Sequence, residues 1–183
     1  MKNLLLAVLS CVGLAGCSYN TGTILGYHIG PAKPYYLRDV HSIAVPTFGN
    51  NTTIPRIEVM VTNTVIKQFQ QDGTFRITSS ANADAVLKGE ITRINRSPAR
   101  SVAGNVLATS EFNLVVRLRY KLIGRDGKPL APPSEVTGTT SFFVANTSAT
   151  SITGDVVSDE RQALPLAGEE LANHLVSQLS EGW

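Results

Sequence analysis

The feature that most constrains the fold is an alternation of apolar and polar residues between Glu111 and Ile123. Successive side chains of a β-strand point to opposite faces of its sheet, so this pattern predicts one long strand. Its apolar face consists of Phe112, Leu114, Val116, Leu118, Tyr120 and Leu122. Its other face consists of Glu111, Asn113, Val115, Arg117, Arg119 and Lys121. We expect the first face to be buried in a core and the second to meet solvent.

A helix is predicted between Pro55 and Gln71. Apolar residues recur there at every fourth position, and Asp72-Gly73 follows as a stop signal. The recurring residues are Ile57, Val61, Val65 and Phe69. The β-branched residues of this segment favour a strand, but the helical period extends over 17 residues bounded by proline and glycine. Periodicity of that length outweighs single-residue propensity.

A second helix is predicted near the carboxyl terminus. Its apolar residues form one stripe, which consists of Leu164, Ala167, Leu171, Leu175 and Leu179. Ser158 or Asp159 is expected to cap the start of this helix, because short polar side chains accept hydrogen bonds from the first free backbone N–H groups. Pro165 fits a helix only near that start.

Further strands are predicted at Ser42 to Phe48, Thr74 to Ser79, Ala85 to Asn95, and Glu135 to Ala145. The order of elements is therefore strand, helix, several strands, helix. This order predicts an α+β fold, with a mostly antiparallel sheet of about four to five strands and two helices packed on one face.

The amino terminus has the pattern of a lipoprotein signal peptide. Lys2 precedes an apolar run from Leu4 to Val12, which is about half the roughly 20 residues needed to span a membrane. The following Leu14-Ala15-Gly16-Cys17 resembles a bacterial lipobox. That resemblance implies cleavage before Cys17, acylation of its thiol, and a lipid anchor in a membrane. The alternative is an ordinary secretory signal with a chance cysteine, which would leave an unpaired thiol in an oxidising compartment.

We accordingly predict three regions. Residues 1–16 form the signal peptide, residues 17–40 hold the lipidated cysteine and a tether, and residues 41–183 form a single domain. The mature chain would carry 15 basic and 14 acidic residues and no free thiol. The near-equal numbers of basic and acidic residues argue against strong nucleic-acid binding. Without a free thiol, the mature chain can form neither a disulfide nor a thiolate metal site.

Motifs for catalysis are missing from the sequence. It contains no metalloprotease, nucleophile-elbow or phosphate-loop pattern. His28, His41 and His174 lie far apart in predicted elements of different kinds, so they do not form a metal motif. We predict a protein that is not an enzyme and that has no cofactor and no metal.

Six basic residues form two groups that can bind anions. Arg93, Arg96 and Arg100 surround Pro98, whereas Arg117, Arg119 and Lys121 share the polar face of the long strand. Arginine forms bidentate, charge-assisted hydrogen bonds with phosphate oxygens. The alternative is that these side chains belong to an ordinary solvated sheet face.

Several segments, in this order, resemble the LptE family of lipopolysaccharide-assembly lipoproteins. They are Gly26-Tyr27-His28-Ile29, Ile43 to Thr52, Glu58 to Gly73, Ala83 to Ile91, and the closing amphipathic helix. The resemblance covers most of the mature chain. One departure is that Gly26 lies nine residues after Cys17, whereas many relatives place this segment directly after the cysteine. The tether is therefore longer here.

The resemblance implies a protein of the outer membrane, lipid-anchored on its periplasmic side. Such a protein is the partner and plug of an LptD-type β-barrel and assists the insertion of lipopolysaccharide. It also implies that basic residues bind lipopolysaccharide, for which the phosphates of lipid A are matching anions. Ser18, which follows the acylated cysteine, fits sorting to the outer membrane as known in some bacteria.

Two other functions compete with this one. An outer-membrane lipoprotein that activates or scaffolds peptidoglycan synthesis can also begin with an Ile-Ala-Val-Pro-like strand and an Asn-Thr turn. A periplasmic enzyme is the other alternative, and the missing catalytic motifs count against it.

Overall fold

The computed structural model describes residues 33–102, 105–143 and 152–181, and for residues 100–102, 105–110 and 152–157 the backbone alone. The strands in this part of the chain are β1 (Ser42–Ala44), β2 (Gly49–Asn50), β3 (Arg76–Ile77), β4 (Ala85–Val102), β5 (Asn105–Gly124) and β6 (Ser134–Phe143). Two α-helices accompany them, α1 (Ile57–Asp72) between β2 and β3, and α2 (Ile152–Glu181) after β6, and a 3-10 helix (Tyr35–Leu37) precedes β1. The predicted α+β fold is confirmed.

The sheet is mixed, with strands in the order β3-β1-β4-β5-β6 and β2 beside β4. Strand β5 is antiparallel to both of its neighbours, β4 and β6. Strand β1 is parallel to β3 and β4, and β2 is parallel to β4. The parallel pairs arise because α1 carries the chain back before β3 begins, and a crossover of this kind returns the next strand in the same direction. The antiparallel prediction thus holds for the three long strands only.

Strand β5 has the two faces that its alternation predicts. Leu114, Val116 and Leu118 are fully buried, whereas Arg117 and Arg119 are exposed. Both β5 and β4 extend further than predicted, because they pair with each other from Ala85↔Gly124 to Val102↔Asn105. Residues 96–102 and 105–110 lack a clear alternation, so these parts of β4 and β5 follow from their pairing and not from a local pattern.

Helix α1 matches its prediction closely. It ends at Asp72, where Gly73 adopts a left-handed conformation (φ 74°) and donates its N–H to the carbonyl of Phe69 over 3.0 Å. Glycine has no Cβ to clash in this conformation, which makes it the usual residue after a helix. All four residues at the predicted four-residue period are buried, namely Ile57, Val61, Val65 and Phe69.

Helix α2 begins earlier than predicted, at Ile152, so the prediction that Ser158 or Asp159 caps it was wrong. Both residues lie inside the helix. Pro165 also lies in its interior, where it has no N–H to donate to the carbonyl four residues earlier. The predicted stripe is buried nonetheless, at Leu164, Ala167, Leu171, Leu175 and Leu179. Burial of this stripe outweighs the weak helix propensity of the polar residues before it.

Two predicted strands are shorter in the structure. Strand β1 ends at Ala44, before Pro46, and β3 contains two residues. The chain leaves the sheet between β1, which pairs with Ala85 and Val86, and β2, which pairs with Glu90 and Ile91. Phe48 lies in this gap and packs over Gly89, where a Cβ would come within 2.9 Å of its ring. Strand β6 ends at Phe143, and Ala145 is outside the described residues.

Both helices pack on the same face of the sheet and form one core with it. Leu37 and Val40 belong to this core, so the packed domain includes two residues of the segment that precedes the predicted boundary at residue 41. Helix α2 approaches β6 closely at Gly138, where a Cβ would lie 1.9 Å from the carbonyl oxygen of Ala167. The opposite face of the sheet carries no helix in the described part of the chain.

Candidate functional site

The face of the sheet that is turned away from the helices carries a group of exposed charged side chains. We define this basic face by Lys88, Glu90 and Arg93 of β4, Arg117, Arg119 and Lys121 of β5, and Glu135 of β6. It contains five cations and two carboxylates. The alternation of β5 places its three basic residues here because the other side of that strand is buried in the core.

Strand pairing arranges these charges in rows across the sheet. Lys88 lies opposite Lys121, and Glu90 lies opposite Arg119. Arg93 lies opposite Arg117. Side chains that oppose each other in an antiparallel pair have Cβ atoms about 5 Å apart. The basic face thus has a like-charged pair at each end and an oppositely charged pair between them.

A β-bulge brings Arg93 to this face. Ile91 pairs with Leu118, and Arg93 pairs with the next residue of β5, Arg117, so Thr92 is an extra residue in β4. An inserted residue of this kind changes which way the following side chains point. In a regular strand Arg93 would share the buried side of Ile91. The bulge places it beside Arg117 instead.

The same bulge places Arg96 on the helix side of the sheet. Its guanidinium lies 2.7 Å from a carboxylate oxygen of Glu160 in α2 and 5.5 Å from the ring centre of Phe112. Arg93 and Arg96, which the sequence places in one group, therefore lie on opposite faces. The side chain of Arg100 is outside the described part, although its backbone pairs with Glu111.

Ion pairing on the basic face is sparse. Arg117 contacts Glu135 over 3.0 Å, and both side chains are well exposed. Within the described ranges, no carboxylate oxygen lies within 4.0 Å of the other four cations, which are Lys88, Arg93, Arg119 and Lys121. Exposed cations that contact no carboxylate in the described part of the chain are available to an anionic ligand.

Lys88 was missed by the sequence prediction of the site. Apolar and polar residues alternate in β4, so Lys88 and Glu90 lie on the other face of the strand from Leu87 and Ile91. This alternation could have identified Lys88 from the sequence. Its neighbour across the sheet, Lys121, is 33 residues away in the sequence, and only the register of the hairpin brings the two together.

A separate concave surface lies on the helix side. This cleft of about 530 Å³ lies between the start of α1 and the first half of α2. Ile54, Met60 and Leu164 are among its apolar lining residues, and Arg56 and Arg161 contribute its cations. The helix layer covers the core between this cleft and the sheet, so the cleft and the basic face are distinct surfaces.

The described residues contain no group of three or more His, Cys, Asp or Glu side chains that could hold a metal ion. None of the helices in that part of the chain combines the length and the apolar character needed to cross a membrane. Cys17 is outside the described residues.

Comparison with protein families decides the identity of the domain. The model of the LptE family, described as lipopolysaccharide-assembly, matches residues 40–179, about three quarters of the chain. The chain belongs to the LptE family. The predicted resemblance is thereby confirmed, and at the level of the family the protein is a lipopolysaccharide-assembly protein. No curated protein matches the sequence.

Solved structures share the fold of this LptE-family chain. An uncharacterised lipoprotein B from Nitrosomonas europaea is 11% identical, with a TM-score of 0.51, and the match covers 77% of this chain and 83% of that one. A dodecamer of a single-substitution variant of PelC from Paraburkholderia phytofirmans is 19% identical, with a TM-score of 0.50 and coverage of 81% and 95%. At these identities the likeness shows the fold alone.

Proposed function

We propose that this LptE-family protein is an outer-membrane lipoprotein that binds lipopolysaccharide on its basic face and plugs an LptD-type β-barrel. It would assist the transfer of lipopolysaccharide into the outer leaflet without catalysing a reaction. The observation that carries the proposal is the basic face itself, because it presents more cations than its carboxylates neutralise. The family match supports the same function.

The basic face suits the phosphates of lipid A. Its side chains stand on three long antiparallel strands whose opposite face is packed against the helices, so their positions are fixed by the core. Guanidinium groups bind phosphate oxygens in a bidentate manner, and ammonium groups act as compact point charges. Charge-assisted hydrogen bonds of this type are about twice as strong as neutral ones.

The proposed anchor is an acyl group on Cys17, supported by the lipobox-like Leu14-Ala15-Gly16-Cys17. Each buried methylene contributes about 0.8 kcal/mol, so several chains hold a protein firmly at a membrane. The 16 residue-to-residue steps from Cys17 to the first described residue, Lys33, can span at most about 58 Å when fully extended. That length allows the domain to dock against a barrel in the same membrane.

Affinity isolation of the full-length tagged lipoprotein from detergent-solubilised membranes tests the proposal. Mass spectrometry should identify a large outer-membrane β-barrel as the main partner, and the association should persist through washing in detergent. Recovery of a peptidoglycan synthase in place of a barrel would overturn the proposal in favour of the cell-wall function. A matched sample with Cys17→Ala controls for proteins that associate with the tag alone.

A further inference from the structure

We propose that the basic face binds two phosphate groups at once, one at the Lys88–Lys121 pair and one at the Arg93–Arg117 pair. The ligand would be a disaccharide head group that carries a phosphate on each sugar. This inference rests on the proposed function, because it specifies which part of a lipopolysaccharide the basic face recognises.

The first reason is the arrangement of like charges. Lys88 opposes Lys121 and Arg93 opposes Arg117 directly across the β4–β5 pair. Like charges in directly opposite positions destabilise a sheet. A phosphate between the two members of a pair would replace this repulsion by two attractive contacts. Each pair is therefore a suitable position for one anion.

The second reason is the central row, where Glu90 opposes Arg119. The carboxylate of Glu90 repels an anion at this point, so the cations do not form one continuous strip. The two like-charged pairs are separated by four residue-to-residue steps along β5, from Arg117 to Lys121. At about 3.4 Å per residue this separation is roughly 14 Å. Two linked sugars with a phosphate at each end have a comparable length.

The third reason is the bulge at Thr92. Without this extra residue Arg93 would point towards the helices, and Arg117 would have no cationic neighbour on β4. Bulges commonly occur where a functional side chain must be redirected. The bulge thus creates the second pair, and it does so at the distance that a disaccharide requires.

Glu135 modulates the second pair. Its carboxylate contacts Arg117 over 3.0 Å and competes with a phosphate for that guanidinium. Because both side chains are exposed, this contact is weak and a phosphate can displace it. Glu135→Gln should therefore increase the affinity for the bisphosphorylated ligand.

The test compares two ligands that differ in one phosphate. The full-length lipoprotein is titrated in detergent with bisphosphorylated lipid A and with monophosphoryl lipid A, and the two Kd values are compared. We expect the parent protein to bind the monophosphoryl form at least about tenfold more weakly, because one set of charge-assisted hydrogen bonds is lost. Inorganic phosphate, added as a competitor, should be far less effective than bisphosphorylated lipid A.

Two double variants assign the phosphates, Lys88→Gln with Lys121→Gln, and Arg93→Gln with Arg117→Gln. Each should bind bisphosphorylated lipid A about as weakly as the parent binds the monophosphoryl form. At least one should bind both ligands equally. Lys67→Gln with Lys128→Gln removes two exposed cations elsewhere and serves as the control, with circular dichroism to verify folding.

The outcomes separate the two proposals. If the parent binds both ligands with equal affinity, or if inorganic phosphate competes as well as lipid A, the two-phosphate inference is wrong and the proposed function stands. If the folded parent binds neither ligand, lipopolysaccharide binding by the proposed function fails as well.

Discussion

At the scale of single residues, neighbouring positions in β5 have opposite environments. Leu118 is fully buried, whereas Arg119 is exposed on the basic face. We predict that Leu118→Asp unfolds the domain, because an unpaired carboxylate in an apolar core costs several kcal/mol, a large part of a typical domain stability. Arg119→Asp should cost no more than about 1 kcal/mol, because it only replaces the exposed pair with Glu90 by two like charges. Thermal melts of the two variants provide the comparison, and equal melting temperatures would show that the two faces are wrongly assigned.

Asp84 is a second residue with a specific role. Its carboxylate accepts hydrogen bonds from the backbone N–H groups of His41 and Ser42 and from the Ser42 hydroxyl, over 2.8 to 3.2 Å. Arg125 contacts the other carboxylate oxygen over 3.2 Å. Asp84 thereby joins the start of β1 to the start of β4 and the turn after β5. The Ser42 hydroxyl, and then the backbone N–H of His41, lower the pKa of Asp84.

This lowered pKa predicts a pH-dependent stability. A carboxyl group whose pKa is lower in the folded state stabilises the fold above its unfolded pKa of about 3.9, and this stabilisation disappears as the pH falls through the folded value. Asp84→Asn should therefore melt at a lower temperature than the parent at pH 7. The difference should shrink as the pH falls below about 4. A difference that stays constant from pH 7 to pH 3 would exclude this role of the charge.

At the scale of elements, the contact between α2 and β6 depends on a glycine. A Cβ at Gly138 would lie 1.9 Å from the Ala167 carbonyl oxygen and 2.5 Å from the Leu171 nitrogen. Beside this point, Glu170 accepts a hydrogen bond from the Thr139 N–H, and a ring nitrogen of His174 lies 2.9 Å from the Thr137 carbonyl oxygen. Helix α2 thus covers part of the open edge of the sheet, where unpaired backbone groups would invite association with other strands.

We predict that Gly138→Ala lowers the free energy of unfolding by about 1–3 kcal/mol or more, because the backbone of α2 must move away. Gly49→Ala is the matched control, since a Cβ at this other strand glycine meets ordinary contacts, the nearest at 3.5 Å. Urea unfolding of both variants gives the comparison. If Gly138→Ala were no less stable than Gly49→Ala, the close approach of α2 to β6 would be disproved.

The elements differ in how far the sequence predicts them. Strand β5 and helix α1 were predicted because each carries its own period of apolar residues, which the core then buries. The extension of β4 beyond Asn95 was not, because pairing with β5 stabilises a segment that has no such period. The early start of α2 was not predicted either, since the residues before Ala163 are mostly polar. The three basic residues of β5 were correctly assigned to one face, because they alternate with the apolar residues that predicted the strand. Arg93 was not, since its side depends on the bulge at Thr92.

At the scale of the whole molecule, the proposed function needs attachment to a membrane. We predict that Cys17→Ala prevents incorporation of a labelled fatty acid and releases the protein from the membrane fraction, because the thiol is the proposed site of acylation. Metabolic labelling followed by fractionation provides the measurement, and Cys11→Ala is the matched control, since Cys11 lies within the predicted signal peptide. Label on the Cys17→Ala protein would show that Cys17 is not the site of acylation.

Lipopolysaccharide binding by a charge-reversed basic face is the most direct test of the proposed function. The variant replaces Arg117, Arg119 and Lys121 by glutamate. Its control replaces Lys67, Lys128 and Arg161, which are exposed elsewhere, by glutamate, so that the two proteins carry the same net charge. Circular dichroism verifies that both remain folded, and binding is measured at about 0.1 M and about 1 M salt, where the screening lengths are about 10 Å and 3 Å.

We expect the control to bind lipopolysaccharide as the parent does, with an affinity that falls as salt rises. The variant of the basic face should lose most of this binding at low salt. Parental affinity in the folded variant, together with an absence of salt dependence in the parent, would contradict a phosphate-binding role for the basic face.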